Sequence, residues 1–161
     1  MTTLAVTGHT DLTEESVPLV RAALRELLEP YSEDLTGISC AAAGAEALFA
    51  EEVSAMGGRL VLVIPSLDYR SAVVRPEHGP VFDHLNETAV EVRTLPYESA
   101  GRAAYEAANA ELLERADRLV AVWDGTRPSG AGGGTADLVE EARRAGVPVD
   151  VVSPDGTARR G

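Results

Sequence analysis

The sequence predicts an α/β domain with a mostly parallel sheet, and three observations support this fold class. Apolar runs that suit buried strands alternate along the chain with segments of helical periodicity. The run 60–64 is apolar at every position, as expected for a strand that helices cover on both faces. A further, mostly apolar run, 118–123, leads through a glycine-rich loop into a helix that opens at Thr135. Strands that alternate with helices build parallel sheets, so the whole chain fits this class.

Each expected element has a local signal. The strands are apolar runs bounded by turn residues, and the helices show apolar positions three or four residues apart. Pro30 ends the first helix because proline does not fit a helix interior, and Gly57 suits the end of the second. The expected strands are 4–6, 35–42, 60–64, 90–95, 118–123 and 149–152. The expected helices run from near Val17 to Pro30, from Ala45 to Gly57, over 81–88, over 101–116 and onward from Thr135, whereas residues 65–80 are irregular.

Size and charge limit the class of protein. A chain of 161 residues can bury the core of one domain, here 1–153, followed by a loose polar tail at 154–161. The formal net charge of −12 argues against a nucleic-acid partner, because a phosphate backbone requires a basic face. No apolar run approaches the roughly 18 residues of a membrane span, so no membrane partner is expected. Cys40 is the single cysteine, which favours a cytoplasmic location and the role of a small hydrophobe over that of a nucleophile.

Several predicted strands end in turns that should meet at one edge of the sheet. In parallel sheets, ligands bind at the carboxyl ends of the strands. Unusual turns follow the first, second, third and fifth strands, and this coincidence is stronger evidence than any single motif. Each turn also has a purely structural interpretation, since glycine and aspartate are common in turns and tryptophan in cores. The candidate ligand-binding residues in these turns are Gly8, His9, Thr10, Gly44, Ala45, Glu46, Tyr69, Arg70, Trp123, Asp124 and Gly125.

The strongest single signal is the glycine-rich loop before the helix at Thr135. Gly132, Gly133 and Gly134 let the backbone come close to a ligand, and the first N–H groups of the helix point toward negative charge. This pattern predicts a phosphate-bearing nucleotide, or a nucleotide-derived molecule, as the ligand, and no other cofactor is expected. Asp137 is either a first-turn acid that the helix dipole favours or a ligand contact. No pair of residues in the sequence has the spacing of metal ligands.

Four motifs, in this order, resemble a known superfamily. They are Val-Thr-Gly-His at 6–9, Ala-Ala-Gly-Ala-Glu at 42–46, Ala-Asp-Arg-Leu-Val-Ala-Val-Trp-Asp-Gly at 116–125 and Gly-Gly-Gly-Thr-Ala-Asp at 132–137. Over nearly its whole length the chain resembles the SLOG superfamily of Rossmann-like nucleotide-binding proteins, most closely the small stand-alone actinobacterial members. The resemblance implies a three-layer Rossmann-like domain with a nucleotide-type ligand over the glycine loop. It also implies two enzyme relatives, the lysine decarboxylase-like phosphoribohydrolases and, more distantly, the nucleoside 2-deoxyribosyltransferases.

Two departures from the family pattern bear on chemistry. Small members often carry arginine after Gly-His, where this chain has Thr10. The negative charge of a ligand phosphate would then be balanced by backbone N–H groups or by one of three arginines, Arg70, Arg102 or Arg127. Both enzyme relatives place a glutamate three residues after the threonine of the Gly-Thr pair, where this chain has Leu138. Leucine cannot act as a nucleophile or carry a proton, so that mechanism lacks its key residue at this position.

Three functions remain open from the sequence. The first is binding or sensing of a nucleotide or nucleotide-derived small molecule at the carboxyl edge of the strands. The second is an N-glycosidase that releases a base from a nucleoside monophosphate, with Asp137 or Asp124 as the candidate catalytic acid. The third is a structural or partner-binding subunit with a vestigial pocket. A homodimer is expected through the alanine-rich helix 101–116, because small side chains let two helices approach closely.

Overall fold

Six parallel strands form the sheet of this computed structural model, which describes residues 1–125 and 134–159. Helices alternate with the strands, which confirms the predicted α/β class. The strands are β1 (Thr2–Gly8), β2 (Leu35–Ser39), β3 (Arg59–Ile64), β4 (Glu91–Thr94), β5 (Arg118–Val122) and β6 (Val149–Val152). The α-helices of the described residues are α1 (Ser16–Leu28), α2 (Ala45–Ala55), α3 (Tyr69–Ala72), α4 (Gly79–Thr88), α5 (Arg102–Arg115) and α6 (Thr135–Ala145).

The order of the strands places a crevice beside β1. Across the sheet the order is β4-β3-β2-β1-β5-β6. The chain moves outward from β1 to β4 and then returns to β5 on the other side of β1, so the order reverses between β1 and β5. Gly8 pairs with Val122, so the two strands end level with each other. Ligands of open parallel sheets bind at such a reversal, outside the carboxyl ends of the strands.

Helices cover both faces of the sheet and give three layers. Residues alternate between the faces along each strand, because successive side chains of a strand point to opposite sides. Leu4 and Val6 of β1 pack in the core beneath α1 and α2, whereas Ala5 packs in the core beneath α5 and α6. Leu60 and Leu62 of β3 belong to a third cluster with α2, α3 and α4. The three-layer arrangement with a parallel sheet is therefore as predicted.

Most element boundaries shift by one to three residues, and two segments differ in kind from what was expected. The segment 65–80, expected to be irregular, contains α3 and the first two residues of α4. The second strand ends at Ser39, although its apolar run continues to residue 42. The backbone N–H of Ala41 donates to Oγ of Ser39 at 3.0 Å, and Ala41 has a φ of 59°. A left-handed residue turns the chain out of the sheet, so the run continues as a turn and not as a strand.

The C-terminal segment is held in place up to residue 159, which makes the expectation of a loose tail wrong. The N–H of Thr13 donates to the carbonyl of Ala158 at 3.0 Å, and the N–H of Ala158 donates to Oγ of Ser16 at 2.7 Å. Arg159 pairs with Asp11 at 2.8 Å. The polar composition of residues 154–161 suggested a segment exposed to solvent. Its polar groups up to residue 159 instead bond to the connection between β1 and α1.

Gly8 lies where β1, β5 and α2 meet. A Cβ atom on Gly8 would lie 2.5 Å from Cβ of Ala45 and 2.9 Å from Cβ of Val122. Real Cβ atoms essentially never come that close, so the junction has no space for a side chain. From the sequence alone, Gly8 could serve either a tight turn or a ligand contact. The structure shows that it is required for packing at this junction.

Glu52 joins α1 to α2 as a buried charge. It is 3% exposed and accepts hydrogen bonds from Nη1 of Arg21 at 2.9 Å and Nε of Arg25 at 2.8 Å. Burial opposes ionisation of this carboxyl, but the two arginines outweigh it and hold the pKa of Glu52 below its usual value. A buried carboxylate with two charged donors is stabilising only while both remain in place.

We expect Gly8→Ala to lower the free energy of unfolding by about 1–3 kcal/mol, because the added methyl group overpacks the junction. The matched control is Gly101→Ala, since a Cβ at Gly101 meets no atom within 4 Å. The control should cost less than about 1 kcal/mol, the range of a helix N-cap change. Urea denaturation measures both variants, and equal losses would contradict the packing role of Gly8.

We expect Glu52→Gln to destabilise the fold at neutral pH by about 2 kcal/mol, because it weakens two charge-assisted hydrogen bonds at a buried site. A carboxyl group whose pKa is lower in the folded than in the unfolded protein stabilises the fold at pH values above its unfolded pKa. That stabilisation is lost as the pH falls through the folded-state pKa. The difference from wild type should therefore shrink in acid. Glu51→Gln is the control, because the exposed Glu51 meets Arg21 at 3.5 Å and should contribute less than about 1 kcal/mol. Urea titrations at pH 3 to 7 test both statements, and a difference that stays constant with pH would refute the assignment.

Candidate functional site

A cavity of about 340 Å³ opens at the carboxyl edge of the sheet, beside the reversal between β1 and β5. Its wall is built from the end of β1, the turns after β1 and β2, helices α3 and α5, and the first turn of α6. This arrangement brings together residues that are far apart in sequence. The predicted site residues that line it are Gly8, His9, Thr10, Glu46, Tyr69, Gly134 and Thr135.

Gly44 and Ala45 lie behind this wall and position the loop that follows β1. The N–H of Ala45 donates to the carbonyl of His9 at 3.2 Å. Gly44 has a φ of +80°, and a Cβ there would lie 2.6 Å from the same carbonyl oxygen. Only glycine fits a left-handed position with backbone this close. These two residues therefore shape the site without lining it.

Arg70 and Trp123 lie outside the cavity, in contrast to their prediction as ligand contacts. Nε and Nη2 of Arg70 donate to the carboxylate of Asp83 on α4, at 2.9 and 3.1 Å. That ion pair turns the guanidinium along α4, away from the cavity. Trp123 packs against the core beneath α5 and α6 and lines a smaller neighbouring cavity of about 130 Å³. The structural interpretation of Trp123 describes its packing better than the role of a stacking platform.

Asp124 and Gly125 form the turn after β5, and Asp124 lines the smaller cavity. The N–H of Asp124 donates to Nε2 of His9 at 3.1 Å, which ties the turn after β5 to the turn after β1. Oδ2 of Asp124 lies 3.5 Å from Nη1 of Arg159. Gly125 is exposed with a φ of +87°, as a turn glycine should be. Asp124 thus connects the carboxyl ends of the two strands and lies beside the main cavity.

The start of α6 forms one side of the main cavity. Oγ1 of Thr135 lies 3.2 Å from Oγ1 of Thr7, and this hydrogen bond fixes the helix start against β1. The N–H of Gly134 donates to Oδ2 of Asp137 at 3.3 Å, so Asp137 caps its own helix. This contact is the one expected of an acid in the first turn of a helix. Asp137 is not among the residues that line the cavity. Gly132 and Gly133 lie outside the described residues, so the loop that they form stays a prediction.

Glu46 contributes an unusual carboxyl group to the cavity. Its Oε1 accepts the N–H of Cys40 at 3.2 Å. Burial raises the pKa of Glu46 to about 7, although hydrogen bonds from the backbone of Cys40 and Ala42 lower it in part. The residue keeps some contact with water through the cavity, and its carboxyl group titrates near neutral pH. A group of this kind can donate or accept a proton in a ligand contact.

Cys40 and Tyr69 beside Glu46 are held in their neutral forms. Burial raises the pKa of the Cys40 thiol well above its usual value, and the Glu46 carboxyl adds to that rise. Burial also raises the pKa of Tyr69. Reactive cysteines have lowered pKa values, so Cys40 behaves as the small hydrophobe that the sequence suggested.

Sequence reasoning missed Tyr105, Asn109 and Arg159, which also line the cavity. Asn109 is 7% exposed, and its Nδ2 has no hydrogen-bond partner. Tyr105 and Asn109 are four residues apart on α5, so they share a face of the helix. Each directly follows a buried alanine of α5, Ala104 or Ala108, and this position beside the buried face was the signal that the sequence offered. No local pattern marks Arg159, because only the fold brings the C-terminal segment to the cavity.

Among the residues that the structure describes, Arg159 is the arginine in the cavity wall, whereas Arg70 and Arg102 of the three arginines that the sequence offered lie outside it. Arg102 pairs with Glu106 at 3.0 Å on the exposed side of α5. Arg127 lies outside the described residues. Arg159 is shared between Asp11 at 2.8 Å and Asp124 at 3.5 Å, so the wall carries a held guanidinium.

Within residues 1–125 and 134–159, no group of three or more His, Cys, Asp and Glu side chains could hold a metal ion. Over the same residues, none of the helices combines the length and the apolar character that a membrane crossing requires.

No protein-family model and no curated protein sequence matches this chain. Solved structures do match its fold. DNA processing protein A from Streptococcus pneumoniae aligns with 97% of this chain at 15% identity and a TM-score of 0.68. DNA processing protein A from Helicobacter pylori aligns with 98% of it at 15% identity and a TM-score of 0.69. The Moco carrier protein of Chlamydomonas rheinhardtii aligns with 94% at 18% identity and a TM-score of 0.55.

The chain spans about half of the Streptococcus protein, 52% of its length, and larger shares of the other two, 68% and 75%. The Helicobacter structure concerns a single-stranded DNA binding mode. The expectation that net charge excludes a nucleic-acid partner is therefore wrong, because a protein of this fold binds DNA. Net charge sums over the whole surface and does not decide what one local site holds. These neighbours share the Rossmann-like α/β architecture that the sequence predicts for this chain.

Proposed function

We propose that this protein binds a nucleotide or a nucleotide-derived small molecule in the cavity at the carboxyl edge of the sheet. The observation that supports this proposal best is that the cavity joins the first turn of α6 to a half-buried carboxyl, that of Glu46, and to an unpartnered amide, that of Asn109. Its volume of about 340 Å³ suits one small ligand, since small-molecule sites span roughly 300–1,000 Å³. The nucleotide-related neighbours of the same fold support the proposal.

The α6 side of the cavity suits a phosphate group. The first N–H groups of a helix have no acceptor within the helix, and the helix dipole favours an anion there. The hydroxyls of Thr7 and Thr135 and the guanidinium of Arg159 lie in the same wall. We propose that the glycine loop, including Gly132 and Gly133, completes this phosphate side.

Binding is favoured over base release. Leu138 is 0% exposed and lines the cavity at the position where the enzyme relatives carry glutamate. The carboxylate of Asp137 accepts the N–H of Gly134, and that of Asp124 lies 3.5 Å from Nη1 of Arg159. Both candidate acids of the glycosidase hypothesis are thus engaged by neighbouring residues, and neither of them lines the main cavity. A cytoplasmic nucleotide sensor is the finer form of the proposal, and a homodimer through α5 stays a prediction.

We expect AMP to raise the melting temperature by an amount that grows with the logarithm of its concentration above the Kd, because a ligand of the folded state stabilises it by mass action, by about 2.7 kcal/mol at a concentration one hundred times the Kd. Thr135→Pro should abolish most of this shift. Proline is favoured at the first helical position and removes its N–H, and Gly134 already has the extended backbone that precedes proline, with a ψ of 176°.

The matched control is Thr135→Ala, which removes the hydroxyl and keeps the N–H, and it should retain most of the shift. Adenosine, inorganic phosphate and a short single-stranded DNA complete the panel by differential scanning fluorimetry. No shift with any of these compounds would contradict the proposal. If AMP raised the melting temperature of Thr135→Pro and Thr135→Ala equally, the proposal that the start of α6 binds the phosphate would be wrong.

We expect Glu46→Gln to become more stable relative to wild type as the pH rises from about 5 to 7. The folded-state pKa of about 7 lies above the unfolded value of 4.5, so the folded state binds more protons between them. The free energy of unfolding of the wild type therefore falls as the pH rises toward 7, because Glu46 must then ionise in the folded protein. Glutamine does not ionise, so the variant avoids this loss. The difference should reach roughly 1–3 kcal/mol and stay constant above pH 7, since one pKa unit corresponds to about 1.36 kcal/mol. Urea titrations give the curves, with Glu87→Gln on the exposed side of α4 as control, and parallel curves for Glu46→Gln and wild type would refute the raised pKa.

A further inference from the structure

The strongest unexplained feature of the cavity is the side chain of Asn109. It is 93% buried, at 7% exposure, and its Nδ2 finds no hydrogen-bond partner. Buried donors are almost always paired, since an unpaired one loses its hydration without compensation. Asn109 lies in the cavity wall, so a bound molecule with an acceptor atom would complete its hydrogen bonding.

Helix α5 presents a mixed apolar and polar stripe to the cavity. Tyr105, Ala108, Asn109 and Leu112 recur at helical spacing and all line it. Leu112 and Ala108 pack in the same cluster as Leu138 of α6, whereas Tyr105 packs in the cluster around Tyr69 of α3. The stripe therefore runs from the α6 side toward the α3 side, and Asn109 lies along its path. A flat apolar group with a polar edge fits such a stripe.

Glu46 supplies the second polar group of this inner side. Glu46, Tyr69 and Tyr105 line the same cavity as Asn109 and interact electrostatically with one another. One oxygen of Glu46 accepts the N–H of Cys40 at 3.2 Å, which fixes the carboxyl group toward the turn after β2. The backbone of Ala42 also hydrogen-bonds this carboxyl, and each carboxylate oxygen has two lone pairs, so the group can accept a further donor from a ligand. An amide donor and a carboxyl group together match an acceptor and a donor on one ligand.

We propose that Asn109 and Glu46 read the edge of a purine base at the end of the cavity away from α6. Nδ2 of Asn109 donates to a ring nitrogen or carbonyl oxygen of the base, and the Glu46 carboxyl pairs with the neighbouring amino or imino group. The ring lies against the α5 stripe, and the phosphate lies at α6. This inference rests on the proposed nucleotide binding and names the chemical class of the ligand and two residues that determine specificity.

The test compares AMP with ribose 5-phosphate, which has the same phosphate and sugar but no base. Asn109→Leu keeps the approximate size of the side chain and removes the donor. We expect it to weaken AMP about tenfold, the loss of one hydrogen bond to a buried group, and to leave ribose 5-phosphate unchanged within twofold. Glu46→Gln serves as a second variant and should also weaken AMP selectively above pH 7. Isothermal titration calorimetry measures both ligands, and urea denaturation confirms that each variant folds.

The outcomes separate the two proposals. If wild type binds neither AMP nor ribose 5-phosphate, the proposed nucleotide function fails and the base subsite fails with it. If wild type binds AMP and Asn109→Leu changes neither ligand, or weakens both equally, the base subsite is overturned while nucleotide binding stands. Asn86→Leu is the matched control, because Asn86 on α4 donates to the carbonyl of Phe82 and lies outside the cavity wall. An effect of that control equal to that of Asn109→Leu would also overturn the subsite.

Discussion

The close approach of β1 to β5 and α2 at Gly8 is the constraint on which the candidate site depends. There a side chain would collide with Ala45 on one side and Val122 on the other. Since the strand end has no side chain, the first turn of α2 and the end of β5 both reach the same point. The turn after β1 then passes directly over Gly44, and its carbonyl at His9 accepts the N–H of Ala45. The cavity opens beside this junction because the backbones meet there without side chains to fill the space.

Sheet topology converts this local contact into a site. The strand order reverses between β1 and β5, so the helices that follow them lie on opposite sides of the crevice. Helix α6 brings the N-terminal end of its dipole to one side, and the turn after β2 brings Glu46 to another. Helix α5 lines the cavity with a stripe that includes Asn109. One side with the N-terminal end of a helix and one polar inner side thus follow from the path of the chain around β1.

The charge at the cavity differs from the charge of the whole chain. The formal net charge is −12, yet the cavity wall contains the guanidinium of Arg159 and a carboxyl group that titrates near pH 7. Arg159 lies between Asp11 and Asp124, so its charge is held at the rim by the C-terminal segment. The DNA-binding neighbour of the same fold illustrates the same point at the level of the fold. A net charge therefore does not exclude a polyanionic partner when the binding groups are local.

The sequence by itself determined the fold class and the edge of the sheet at which the candidate cavity lies. Apolar runs and helical periodicity reflect which residues are buried. The strands, the helices and the turns with Gly8 and Glu46 could therefore be predicted from the sequence. Tertiary structure decided which of the turn residues face the cavity: Arg70 is drawn to Asp83, Trp123 packs in the core and Asp137 caps its own helix. It also brought Asn109 and Arg159 to the wall. These outcomes depend on partners distant in sequence, and no local pattern encodes a contact between residues that only the folded chain brings together.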